Sequence, residues 1–291
     1  MNKYFTFVEN LQKGDWATKP PPAAFDNPYR AYVESIRAGV ASAKSVPAVS
    51  GTVPVVESDA KVMVFAPHPD DECIVGLLPL RLMREAGKQI IVVPVTYGSN
   101  VERQAGRAKE LADACAYLGW EIRRGKADLG ALEVDDLVAL LTEVRPEVVV
   151  LPHAGDWNSR HVSTHFLVEE ALGQMEASFG CTVVETEYWG AMDDPNLMVE
   201  GDAELVADLV AAISLHVEEV ARNPYHLLLP AWMQDNVRRG GELVGGQGGA
   251  VPDFSFATLY RLRKWENGGY VECLENGTSV PVGADKLKEL F

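Results

Sequence analysis

The sequence is poor in cysteine and in basic charge, and each shortage removes a class of protein. Four cysteines, Cys73, Cys115, Cys181 and Cys273, are scattered over 291 residues without a Cys-x-x-Cys pair, which excludes a zinc knuckle or a disulfide-dense scaffold and points to reduced thiols. Lys and Arg number 26 against 42 Asp and Glu, a formal net charge of −16. Such a field repels phosphate backbones and anionic membrane surfaces, so neither nucleic acid nor membrane is expected as a partner. No window approaches the roughly 20 apolar residues of a membrane-spanning helix. Met1 to Pro22 mixes charged residues with aromatics where a signal peptide has a continuous apolar run, so a cytoplasmic location is expected. There is no internal repeat. Gly240 to Gly249 holds six glycines in ten residues but lacks the Gly-Lys-Ser/Thr ending of a phosphate loop; it reads as a mobile lid over a cleft or as a connector.

What is present is ordinary globular composition, with 47% hydrophobic and 23% charged residues. The length suits one large α/β domain with appendages. A helical N-terminal arm is expected over residues 1–58, with a helix from Pro28 to Ala43. Residues 59–225 read as an α/β core, and residues 226–291 as a lid with antiparallel strands in the same domain. In the core, short β-branched runs alternate with amphipathic segments, which predicts a Rossmann-like, mostly parallel sheet flanked by helices. Val62 to Phe65 reads as a buried strand and Glu72 to Ala86 as a helix bent at Pro79 and stopped by Gly87. Ile90 to Val95 and Glu147 to Leu151 read as strands, Val101 to Leu118 as a helix closed by Gly119. A helix follows the acids Asp135 and Asp136, and further helices are expected over His161 to Met175 and Ala203 to Val220, with a strand at Thr182 to Thr186. Alternation from Phe254 to Leu262, with hairpin turns at Asn267-Gly268 and Asn276-Gly277, predicts antiparallel strands in the C-terminal third.

Chemistry concentrates at two strand ends. Pro67-His68-Pro69-Asp70-Asp71-Glu72 follows the first strand, at the carboxyl edge where open α/β sheets bind ligands. One imidazole and two carboxylates within four residues supply nitrogen and oxygen ligands that zinc accepts, plus a spare acid for proton transfer. An N-capping role would explain Asp70 to Glu72 but leave His68 idle. Pro152-His153 through Ser163-Thr164-His165 follows a later strand at the same edge. Four of the six histidines lie in these two segments, as expected if they share one metal. His161 and His165, at i and i+4, face the same way on a helix, and His161 is the preferred ligand. Asp156 either orients a ligand histidine or shapes the turn. Tyr225, His226 and Trp232 form a substrate-facing wall or ordinary core.

The first motif resembles the PIG-L/LmbE-like N-acetylglucosaminyl de-N-acetylases, whose hallmark is Ala-His-Pro-Asp-Asp-Glu after the first strand; Pro67 replaces its Ala. The resemblance runs from about Val62 to His165 and includes Arg107, Glu110 and Leu118-Gly119. It implies that His68, Asp71 and His161 bind zinc and that Asp70 is the general base. The implied reaction removes the N-acetyl group of a small N-acetylglucosamine-containing or related amino-sugar substrate, and a homo-oligomer is compatible with it. Where the family has His-x-x-His, this sequence has Asn158-Ser159-Arg160-His161. Asn158 can still donate a hydrogen bond to an oxyanion, and His165 or His153 is a candidate for the missing imidazole. Two alternatives follow: a catalytically impaired carbohydrate-binding relative, and a metal-dependent hydrolase of another amide or ester.

Overall fold

The computed structural model of the protein describes residues 29–46 and 49–291. The chain divides into two compact units, Met1–Val46 and Pro47–Phe291. In the first, helix α1 (Arg30–Ala43) has no buried residue. The second begins earlier than the expected boundary at residue 58, because the segment ahead of the first strand already packs on the core. Val53 N–H donates to Ala116 O at 2.9 Å, and a Cβ on Gly119 would meet Pro54 O at 2.9 Å.

The strands are β1 (Lys61–Ala66), β2 (Gln89–Pro94), β3 (Glu121–Ile122), β4 (Val148–Pro152), β5 (Cys181–Thr186), β6 (Leu197–Gly201), β7 (Phe256–Glu266), β8 (Gly269–Glu272) and β9 (Thr278–Val280). They form one sheet in the order β3-β2-β1-β4-β5-β7-β6-β9, with β8 paired to β7. The first five are parallel. β7 enters antiparallel between β5 and β6, and β9 joins β6 in parallel. The sheet is thus mostly parallel, with antiparallel pairs on one side, as expected. Both faces of β1 are covered, which is why Val62 to Ala66 reads as an unbroken apolar run. Val62 and Val64 face one core cluster, with Leu77, Leu111 and Leu209. Met63 and Phe65 face the other, with Leu137, Leu141 and Leu172. Each such buried side chain contributes about 1.5–3 kcal/mol.

The helices of this unit are α2 (Asp71–Ile74), α3 (Leu77–Ala86), α4 (Val101–Leu118), α5 (Val134–Val144), α6 (Ser159–Gly173), α7 (Ala203–Ser214), α8 (Val217–Arg222), α9 (Tyr225–Leu243) and α10 (Lys286–Leu290). The expected helix over residues 72–86 is two, broken at Val75-Gly76 and not at Pro79. Proline sits in the first turn of α3, where its missing N–H has no intrahelical acceptor in any case. Gly76 is the tight point, since a Cβ there would stand 2.7 Å from Glu72 O and 2.9 Å from Trp120. The expected helix over residues 203–220 also divides, at His216, which turns inward between α7 and α8. Gly87 and Gly119 terminate α3 and α4 with left-handed backbone, as expected.

The C-terminal part departs most from expectation. α9 covers the Tyr225 region and ends within the glycine-rich stretch, so Gly240 and Gly241 belong to a helix and not to a lid or connector. A Cβ on Gly240 would meet Met198 Sδ at 2.5 Å; glycine permits this close helix-to-strand approach. Asn267-Gly268 turns the β7–β8 hairpin with φ of 54° and 80°. Asn276-Gly277 does not make a hairpin, because β9 pairs with β6 rather than β8. No described helix is long and apolar enough to cross a membrane.

Candidate metal centre

The order β2-β1-β4 puts the first crossover on one side of β1 and a later one on the other, opening a crevice at the carboxyl edge. The loops leaving β1, β2, β4 and β5 meet there. Thr96 N–H donates to Pro67 O at 3.2 Å, tying the loop after β2 to the loop after β1, and His153 N–H donates to Thr186 O at 3.0 Å, tying the loop after β4 to β5.

His68, Asp71 and His161 come together in this crevice. Asp71 Oδ2 lies 3.4 Å from His68 Nδ1 and 3.4 Å from His161 Nε2, and it accepts the His68 backbone N–H at 2.9 Å. All three donor atoms lie within 4.8 Å of one another. Two ligands on one tetrahedral zinc, each about 2.0–2.2 Å from it, stand roughly 3.3–3.6 Å apart, so the observed separations fit a shared ion. His161 Nε2 is buried with no hydrogen-bond partner, which fits a nitrogen that holds an ion. Asp156 Oδ2 lies 3.3 Å from His161 Nδ1, while its Oδ1 accepts Asn158 N–H at 2.8 Å. One aspartate therefore stands beside the ring and shapes the turn through Asn158 N–H.

Electrostatics separate the two adjacent aspartates. Burial would raise Asp71, but the imidazoles of His161 and His68 outweigh it and hold its carboxyl well below the usual range. Burial would lower His161, but Asp71 and Asp156 lift it to about 10. Asp70 goes the other way: burial and the neighbouring Asp71 charge push it well above the usual carboxylate range, against the pull of Arg107. Asp70 has φ of 120°, a conformation that side-chain-bearing residues rarely adopt. Arg107 Nη2 lies 3.8 Å from its Oδ2 and donates to Pro69 O at 3.0 Å.

The site opens into a cleft of about 460 Å³ lined by His68, Asp70, Asp71, Arg107, Asn158 and Tyr225 among others. Trp157 and Trp189 also line it. Trp189 lies edge-on to His161, 6.3 Å between ring centroids, and 5.3 Å from Tyr225. Trp157 is 72% exposed but held by its indole N–H, which donates to Trp189 O. Asn158 caps α6, its Oδ1 accepting Arg160 N–H at 3.0 Å; this orientation turns the side-chain NH₂ away from the cap.

None of the three histidines of the second segment lines that cleft; His161 faces a small pocket with Asp71 and Asp156, and the other two lie elsewhere. His165 is on the inner side of α6, where Nδ1 donates to Pro152 O at 2.9 Å and lies 3.6 Å from Glu185 Oε1. His153 Nε2 contacts Gly190 O at 2.9 Å, and the residue lines a separate 320 Å³ cleft with Glu185 and Arg263. Of the Tyr225, His226 and Trp232 region, Tyr225 faces the site and Trp232 packs on Tyr188 at 5.0 Å. Trp189, Arg103 and Glu219 were not singled out from the sequence. Trp189 follows directly on the loop after β5, so its position after a strand end was the available signal.

Residues 63–172 match the family model described as PIG-L: GlcNAc-PI de-N-acetylase. No curated protein matches the chain. The structure is similar to N,N'-diacetylchitobiose deacetylase from Pyrococcus horikoshii, with a TM-score of 0.53 at 17% identity over 84% of this chain and 95% of that one. It is also similar to a 4-carboxy-2-hydroxymuconate hydratase from Pseudomonas putida, with a TM-score of 0.52 at 16% identity over 70% and 95%. A conserved protein from Thermus thermophilus gives 0.51 at 20% identity over 69% and 93%. At such identities the likeness is one of fold, and a fold shared by a deacetylase and a hydratase does not by itself name a reaction.

Proposed function

With residues 63–172 matching the PIG-L family, we propose that this protein is a zinc-dependent hydrolase removing an N-acetyl group from a small N-acetylglucosamine-containing or related amino-sugar substrate. The observation that carries this reading is the pair of 3.4 Å separations around Asp71 Oδ2, beside a second buried carboxyl, on Asp70.

His68, Asp71 and His161 would hold the ion, which when bound supplies Lewis-acid polarisation of the acyl carbonyl and an acidified water. Asp70 takes a proton from the attacking water and returns it to the leaving nitrogen as the C–N bond breaks. Acetate and a free amine leave. Arg107 Nη2, 3.8 Å from Asp70 Oδ2, favours the ionised carboxylate that must accept the first proton. Asn158 donates its amide N–H to the oxyanion that forms as water attacks. Asp156 fixes the orientation of the His161 ring. Trp189 and Tyr225 wall the cleft, narrowing water access and offering aromatic faces to a sugar ring. His165, bound to Pro152 O, supports the end of β4.

The presence of Asn158 where the family has histidine motivates a second reading, a relative that binds carbohydrate without hydrolysing it. Elemental analysis of wild type beside His161→Ala, together with an acetate-release assay in added zinc, separates the possibilities. The proposal expects about one zinc per wild-type chain, much less in the variant, and acetate from N-acetylated amino sugars. Bound sugar without acetate favours the second reading. Release from N-acyl amino acids or esters in preference to sugars moves the substrate class, and wild type without metal removes the hydrolytic mechanism.

A further inference from the structure

A fully buried pair lies behind the cleft. His216 and Glu72 are both 0% exposed, and His216 Nε2 donates to Glu72 Oε1 at 2.7 Å. Cys73 Sγ donates to the same oxygen at 3.1 Å. Glu72, Cys73 and His216 could be taken for a second metal site, but ligand atoms on one tetrahedral ion stand about 3.3 Å or more apart. At 2.7 Å the His216 and Glu72 atoms share a hydrogen bond with no room for a cation between them.

The other oxygen of Glu72 shows what the pair is for. Glu72 Oε2 accepts the backbone N–H of Asp70 at 2.9 Å, at the residue whose φ of 120° an ordinary side chain disfavours. The carboxylate is thus fixed by His216 and Cys73 on one side and grips the strained peptide on the other. A second contact comes from the same segment of chain. α8 starts immediately after His216, and its Glu219 lies 3.5 Å from Arg107 Nε; Arg107 in turn donates to Pro69 O at 3.0 Å. Gly98 leaves room for that guanidinium, since a Cβ there would stand 2.6 Å from Arg107 Nη1.

We propose that His216 and Glu72 are positioning residues for Asp70: the imidazole orients the carboxylate, the carboxylate holds the Asp70 peptide in its left-handed conformation, and the side chain is thereby aimed into the cleft. The effect on turnover rests on Asp70 carrying the proton, as proposed above; the effect on the peptide does not. The His216 contribution comes from outside the family-matched residues 63–172.

The test compares zinc-loaded wild type with His216→Leu, which removes the donor, and His216→Gln, which retains one. Three quantities are read: kcat and KM for acetate release, zinc per chain, and hydrogen exchange of the Asp70 amide by NMR. In His216→Leu the Asp70 amide is expected to exchange at least roughly tenfold faster and kcat to fall about 10- to 100-fold at unchanged KM and zinc content, with His216→Gln recovering most of both. Unchanged Asp70 exchange in His216→Leu overturns the proposal, as does a loss of kcat that follows loss of zinc or that glutamine fails to rescue. Should the leucine variant not fold, Glu72→Met removes both acceptor oxygens at similar side-chain length, and the same amide must lose protection. If wild type binds zinc but releases no acetate, the deacetylase reading fails while Asp70 exchange still decides whether the pair holds the peptide.

Discussion

Asp156 meets His161 across 3.3 Å at Nδ1, on the side of the ring opposite the nitrogen that faces Asp71. Such a contact favours hydrogen on Nδ1, so that Nε2 would hold an ion once the ring gives up its second proton. Asp156→Asn keeps the shape but weakens the acceptor. Zinc affinity, measured by competition with a chromophoric chelator, should fall about 10- to 100-fold; undiminished affinity would show that packing alone orients the ring.

Asn158 has two separable tasks, capping α6 through Oδ1 and donating through its NH₂. Asn158→Ala loses both, and denaturant unfolding should show a loss of about 1 kcal/mol. Asn158→Asp keeps a capping oxygen, so stability should hold, yet it puts negative charge where the oxyanion develops. Its kcat should drop about 10²- to 10³-fold. Equal activity in Asn158→Asp and wild type would remove the amide from the mechanism.

Glu219 ties α8 to α4 through Arg103 Nη2 at 2.7 Å and through Arg107. Burial would raise its carboxyl, but the guanidinium groups of Arg107, Arg222 and Arg103 outweigh it and hold it below the usual value. A depressed folded pKa gives stability that is present above the unfolded value of about 4.3 and is lost as pH falls through the folded one. Glu219→Gln should therefore be less stable than wild type at pH 7 and show a shallower acid loss below about pH 4. Parallel curves for the two proteins in that window would contradict the assignment.

Gly76 and Gly173 make a matched pair of probes. A methyl group at Gly76 meets Glu72 O, Leu209 and Trp120 within 2.9 Å, whereas at Gly173 it meets nothing within 4 Å. Gly76→Ala should destabilise by about 1–3 kcal/mol, and Gly173→Ala should be neutral or stabilise by about 0.4–1 kcal/mol. Thermal melts of the two variants side by side give the comparison.

Much of this fold is legible along the chain because local signals agree with tertiary demands. Gly87 and Gly119 stop helices where left-handed backbone is needed, and the apolar runs at β1, β2 and β4 declare a sheet buried on both faces. The grouping of His68, Asp71 and His161 was legible too, from histidines and carboxylates at two strand ends and from the resemblance of the first motif, and the structure brings their donor atoms together. What was hidden depends on long-range contact. α9 looks unlike a helix because Pro224, Pro230 and its terminal glycines suppress the local signal, and Gly240 is explained by Met198, which lies across the fold. β9 gives no sign of choosing β6 over the nearer β8. His216 reads as one more residue of a continuous helix until Glu72 is seen beside it. The i, i+4 spacing of His161 and His165 misleads in the other direction: the shared face is real, but Pro152 O takes the second ring.

The insertion of β7 between β5 and β6 makes the last eighth or so of the chain a keystone rather than an appendage. A product ending before Phe256 would leave β5 and β6 each with an open row of amides and carbonyls, the template that draws strands of other molecules together. Shortened forms made for crystallisation or expression should accordingly self-associate, even though every residue around the candidate ion would still be in place.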